Sequence, residues 1–233
     1  MHFSFTVVTV CALSILIAGI IAIFRFGQIK QVYYPFIYLT WITCITELLS
    51  LYLVLNHHHN IILYTVYSLF ESLLLLWFFQ KLEVFKRVLF PYVLAGLFLI
   101  VWFVESFVIN SFGSQFTFYF NAIYGFVFVL LSVRIINSLL FTEKHLLKNP
   151  TFLICIALLI FFTYDVINRM FRWYGLNESE SFVHNIEALQ VIINLISNLI
   201  FALAIFFMRK KQPLIFRFWL FFWSERSKYN NDN

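Results

Sequence analysis

Glu47, Glu71 and Asp165 each stand inside a long run of apolar residues. A charge surrounded by hydrocarbon is costly, so carboxylates in such runs face a protein interior, where they hold a cation, relay a proton or mark a ligand site. Counted inward from the same side, each lies about nine or ten residues deep, roughly 15 Å at 1.5 Å per residue of helix. Three acids at one level on three different runs are the most informative coincidence in the chain.

Each acid also belongs to a polar stripe at helical spacing. Thr40, Thr43, Glu47 and Ser50 form one, and Tyr64, Ser68 and Glu71 a second, with Tyr67 a turn from Glu71. Tyr164, Asp165, Asn168, Arg169 and Arg172 form a third, in which Arg169 follows Asp165 by the four residues that suit an ion pair. The longest runs through Glu187, Gln190, Asn194, Ser197 and Asn198. Asn121 and Tyr124, on the fifth run, read as lying near the outer surface, and the polar interior is expected from runs two, three, six and seven. The candidate ligand-binding set is therefore Glu47, Glu71, Asp165, Asn168, Arg169, Glu187, Gln190 and Asn194. The bland alternative is a polar network that only glues helices together.

Other signals carry less. His57, His58 and His59 are consecutive, and on a helix they would point about 100° apart, so they chelate one ion poorly. Asn177-Glu178-Ser179 fits a glycosylation sequon, a pattern short enough to arise by chance. Cys11, Cys44 and Cys155 all fall inside apolar runs and read as small packing residues. No histidine sits in a helix core, which argues against the seven-helix hydrolases whose zinc needs one, and the last run has no lysine for a retinal Schiff base. No phosphate loop, CxxC pair or nucleophile elbow is present. Neither a cofactor nor a metal is expected, and enzymatic activity is not the favoured reading.

The elements that must position the acids follow from composition. The chain has 233 residues, 62% hydrophobic and 12% charged, whereas soluble domains carry about a quarter charged residues. Runs near 5–25, 34–55, 61–80, 89–109, 116–140, 151–174 and 184–208 predict an all-α, polytopic integral membrane protein of seven transmembrane helices. Spans one and four, almost purely apolar, are expected to face lipid. The first lacks a basic leader region and is too long for a signal-peptide core, so it reads as a retained helix. Of the 16 Lys and Arg, all but Arg169 and Arg172 fall at one end of the alternating path. By the positive-inside rule the N-terminus is outside, the C-terminus inside, and the acidic level lies in the outer half. Pro35, Pro91 and Pro150 open the even-numbered spans at that basic end, and Asn149 offers an N-cap. The division is thus a bundle over 1–208 and a basic, aromatic cytoplasmic juxtamembrane segment over 209–233. Within the latter, residues 214–223 are too short to span and read as an interfacial helix. The expected setting is the plasma membrane, with the bilayer as partner and no room for a nucleic-acid-binding domain.

Tyr67-Ser-Leu-Phe-Glu71, Asn149-Pro-Thr-Phe152 and Phe206-Phe-Met-Arg209 resemble motifs of a group of small, uncharacterised bacterial seven-helix membrane proteins often encoded beside sensor histidine kinases. The resemblance implies a sensory or regulatory membrane module without its own output domain, with a histidine kinase or another membrane protein as partner. The expectation that combines these readings is a receptor-like sensor binding a small polar or cationic ligand in an acidic pocket. A small-solute or proton-coupled transporter or channel, and a structural subunit of a larger complex, are the alternatives.

Overall fold

The computed structural model describes residues 5–85, 87–109, 117–143, 145–173 and 180–208; at 5–6, 172–173, 180–184 and 187 it describes the backbone alone. The described residues are helical and include no strand. The first span is two helices, α1 (Phe5–Leu13) and α2 (Ile15–Arg25), which meet at Ser14. The Ser14 hydroxyl turns back to the Cys11 carbonyl at 2.6 Å, a local bond that competes with the helix ladder and marks the break. Spans two to seven are α3 (Tyr34–Leu55), α4 (Ile61–Lys81), α5 (Leu89–Phe103, extended by a wider π-type turn over Val104–Ile109), α6 (Phe118–Thr142), α7 (Pro150–Trp173) and α8 (Glu180–Phe207). Seven helical stretches among the described residues are long and apolar enough to cross a membrane. The interfacial helix expected over 214–223 and the sequon at Asn177 lie outside the described residues.

Each helix packs on its neighbours in the chain, and α8 returns to α2, so the helices close a ring around a central space. The ring is tight where side chains vanish. A methyl group at Gly19 of α2 would come within 2.6 Å of Cys44 Sγ on α3, and one at Gly125 of α6 within 3.2 Å of Val166 on α7. Small residues let helix backbones approach where no water drives them together. Ile15, Ala18, Gly19 and Ala22 form the buried stripe of α2. The first span is therefore built into the ring, contrary to its expected lipid-facing place. The apolar composition hid this because burial there depends on side-chain size rather than polarity. The fourth span does lie outermost: on α5 only Pro91 and Phe98 are buried, while most of its large side chains are exposed.

Three helix ends are satisfied by side chains reaching back. Asn149 Oδ1 accepts from the amides of Thr151 (3.0 Å) and Phe152 (3.4 Å), the expected cap of α7. Arg25 donates to the carbonyls of Ile205 (3.4 Å) and Met208 (3.1 Å), closing the C-terminus of α8 and lying over the Phe206 ring. Glu105 supplies a cap that nothing in the sequence announced. From the π-type turn after α5, its oxygens accept from the amides of Tyr119 (2.8 Å) and Phe120 (2.6 Å), in the first turn of α6. Glu105 is 2% exposed. Below the ring's centre, Phe79, Phe98, Phe128 and Phe162 stack and edge into one another at centroid distances of 5.6 to 6.1 Å.

Candidate functional site: a polar cavity inside the ring

The space at the centre of the ring is a cavity of about 350 Å³, bordered by α2, α3, α4, α6, α7 and α8. All three acids reach it, as do Arg169, Gln190 and Asn194. In the helices as formed, Glu47 is eight residues from the end of α3, Glu71 ten from the start of α4 and Asp165 eight from the end of α7. At 1.5 Å per residue those are depths of roughly 12–15 Å, so the expected common level is present. Asn168 lies behind the wall rather than on it: it is buried and donates to Gln190 Oε1 at 3.4 Å, thereby orienting a wall residue. The Glu187 side chain lies outside the described residues.

The acids have different surroundings. Asp165 is paired with Arg169, Oδ2 to Nε at 2.7 Å, the i, i+4 ion pair the spacing predicts. Glu71 accepts from two phenols, Tyr67 at 3.1 Å and Tyr124 at 2.7 Å. Tyr67 in turn meets Thr43 Oγ1 at 2.9 Å, and Thr43 lies 2.9 Å from the Leu39 carbonyl, so a continuous chain of hydroxyl contacts leads to Glu71. Arg169 and Asp165 act on Glu71 electrostatically across the cavity. Glu47 has the weakest ties, accepting from Tyr64 at 3.3 and 3.5 Å. Among the described residues no basic side chain pairs with Glu47 or Glu71. The three acids do not close into a metal-ligand cluster, nor does any such group among the described residues. Glu47 and Tyr64 also border a second cavity of about 200 Å³ between α1, α3 and α4, which includes Thr9, Ser50 and Asn60.

Sequence reasoning placed the fifth span outside this group, and the structure corrects it. Tyr124 on α6 is 3% exposed, and with Asn121 and Thr117 it lines the cavity. Asn121 Oδ1 and Thr117 Oγ1 are buried with no hydrogen-bond partner among the described residues. The available signal was the spacing of Thr117, Asn121 and Tyr124, one helical stripe ending opposite an acid. The apolar part of the wall, Ile15, Phe36, Leu39, Leu158, Phe161 and Phe201, was not legible either, because apolar residues line every face of such helices.

The cavity is graded along its length. On α3, Phe36 and Leu39 precede Thr43 and Glu47; on α7, Leu158 and Phe161 precede Asp165 and Arg169; on α8, which runs the other way, Gln190 and Asn194 precede Phe201. Three helices thus place their apolar contributions at the α2–α3 end and their charged or amide groups toward the α3–α4 end. The polar groups near the apolar end are bonded within the protein. Thr40 donates to the Phe36 carbonyl at 2.9 Å, and Asn198 to Ser14 Oγ at 2.9 Å.

No protein-family profile matches the chain, and neither a curated protein nor a solved structure is significantly similar to it. The resemblance to the kinase-associated seven-helix proteins thus rests on its three short motifs. Of these, Tyr67 and Glu71 meet in the cavity, while Asn149 and the Phe206–Met208 segment serve helix ends.

Proposed function

We propose that this chain is a seven-helix membrane sensor that binds a small cation in the central cavity, entering from the outside. The observation that carries the reading is the excess of acid over base in the cavity lining: Glu47, Glu71 and Asp165 are accompanied by a single Arg169, which is already held by Asp165. A cation on Glu47 would gain a charge-assisted hydrogen bond in a site of low dielectric. The bias of basic residues toward the α2–α3 end supports an inside position for that end and an outside position for the polar end of the cavity. Binding would reorganise α7 and α8, which carry Arg169 and Asn194, and so reach the basic segment after residue 208, where a partner such as a histidine kinase would read it.

The test uses the full chain in nanodiscs with ethylammonium as probe. Saturable binding, lost in Glu47→Gln and absent for acetate, is the expected result. Binding unchanged by Glu47→Gln and Glu71→Gln together rejects the site. A second reading, proton-coupled transport, is favoured by one observation, the hydroxyl chain from Thr43 through Tyr67 to Glu71. It predicts pH-driven ethylammonium flux into proteoliposomes, whereas a sensor binds without flux.

A further inference from the structure

The grading of the cavity says more about its ligand than the acids do. At the polar end, and among the described residues, Glu47 lacks a cationic partner and the buried Asn121 Oδ1 and Thr117 Oγ1 lack hydrogen-bond partners. Glu47 is an acceptor that borders the cavity, and an N–H donor head would satisfy it. At the other end the wall is Phe36, Leu158, Phe161 and Phe201, and the polar atoms there, Thr40 and Asn198, already have partners inside the protein. A uniformly polar ligand, such as a diamine or a sugar, would leave its inner half without hydrogen bonds, a loss comparable to the gain at the polar end. Among the described residues a metal ion finds no cluster of ligating side chains. The volume of about 350 Å³, at about 30 Å³ per water-sized group, holds roughly a dozen non-hydrogen atoms.

Resting on the reading of this cavity as a cation site, we infer that its ligand is an amphiphilic monoamine: one ammonium head at Glu47 and one compact apolar body, aromatic in preference, lying among Phe36, Phe161 and Phe201. The aromatic preference follows from the Phe36–Phe201 edge contact at 5.2 Å, to which a flat ring adds a further favourable pair.

The experiment measures equilibrium binding to the full chain in nanodiscs, with protein-free nanodiscs subtracted to remove partition into lipid. The probes are ethylammonium, tryptamine, 1,4-diaminobutane and indole-3-propionate. Tryptamine is expected to bind at least about tenfold tighter than ethylammonium, since burial of the ring adds apolar contact. Diaminobutane should bind no tighter than ethylammonium, and indolepropionate, with the opposite charge, should not bind. Glu47→Gln should weaken tryptamine and ethylammonium alike, and Leu158→Trp, which fills the apolar end, should weaken tryptamine alone. Equal affinities for tryptamine and ethylammonium, both lost in Glu47→Gln, overturn the amphiphile inference and leave the cation site standing. Tighter binding of diaminobutane than of tryptamine does the same. Absence of saturable binding by any amine overturns both. The comparison of probes on the unaltered protein needs no variant to fold.

Discussion

Glu105 offers the sharpest test of how this structure is held together. Its two carboxylate oxygens take up the amides of Tyr119 and Phe120 at 2.8 and 2.6 Å, and the residue is 2% exposed. A hydrogen bond to a charged group contributes about 1.5–3 kcal/mol, and a negative charge at a helix N-terminus adds roughly 0.3–1 kcal/mol. Two such bonds would sum to several kcal/mol. Chains unfolded within lipid find alternative partners, though, which cuts the net worth of such contacts to about half or less. Glu105→Ala should therefore cost about 3 kcal/mol. Glu105→Gln keeps one acceptor but turns an NH₂ donor toward an amide donor, and should cost about 2 kcal/mol. The assay is unfolding in mixed micelles on titration with denaturing detergent, followed by far-ultraviolet circular dichroism. The exposed Glu83 serves as control; its change to Gln should stay within about 0.5 kcal/mol. Because α6 also carries Asn121 and Tyr124 into the cavity, ethylammonium affinity should fall along with stability in the Glu105 variants. If both variants unfold within about 0.5 kcal/mol of the unaltered chain, the cap is not a stabilising contact and the reasoning fails.

Gly19→Ala should destabilise the α2–α3 contact by about 1–3 kcal/mol through overpacking against Cys44 Sγ. Cys44→Ala should restore most of that loss in the double variant, and additive losses in the same unfolding assay would count against the close approach. Arg169→Gln removes the cation that holds Asp165 at 2.7 Å, so ethylammonium affinity should rise roughly tenfold, about 1.4 kcal/mol; a fall, seen by calorimetry, would mean that Arg169 assists binding rather than competing with it. Asn149→Ala, by removing the acceptor for Thr151 and Phe152, should lower stability by about 0.5–2 kcal/mol without altering ethylammonium affinity.

The motifs that resembled other proteins also separate by role. Tyr67 and Glu71 bond to each other within the cavity, whereas Asn149 and Phe206 belong to helix ends. A short shared motif can therefore report a cap as readily as a binding group.

Read from the amino acids alone, seven helices long and apolar enough to cross a membrane, the level of Glu47, Glu71 and Asp165 and the Asp165–Arg169 pair were all legible. These properties are local: run length, the proline at a helix start, and the 1.5 Å rise that converts position into depth. Tertiary structure decided which helices meet. It set α2 against α8 to close the ring, brought Tyr124 from α6 onto Glu71, and turned Glu105 inward to cap a helix in the next span. The reason is that in hydrocarbon every face of an apolar helix is acceptable to solvent, so polarity does not say which face is inside. That choice fell to the size of Gly19 and Gly125 and to the polar atoms that had to find one another across helices.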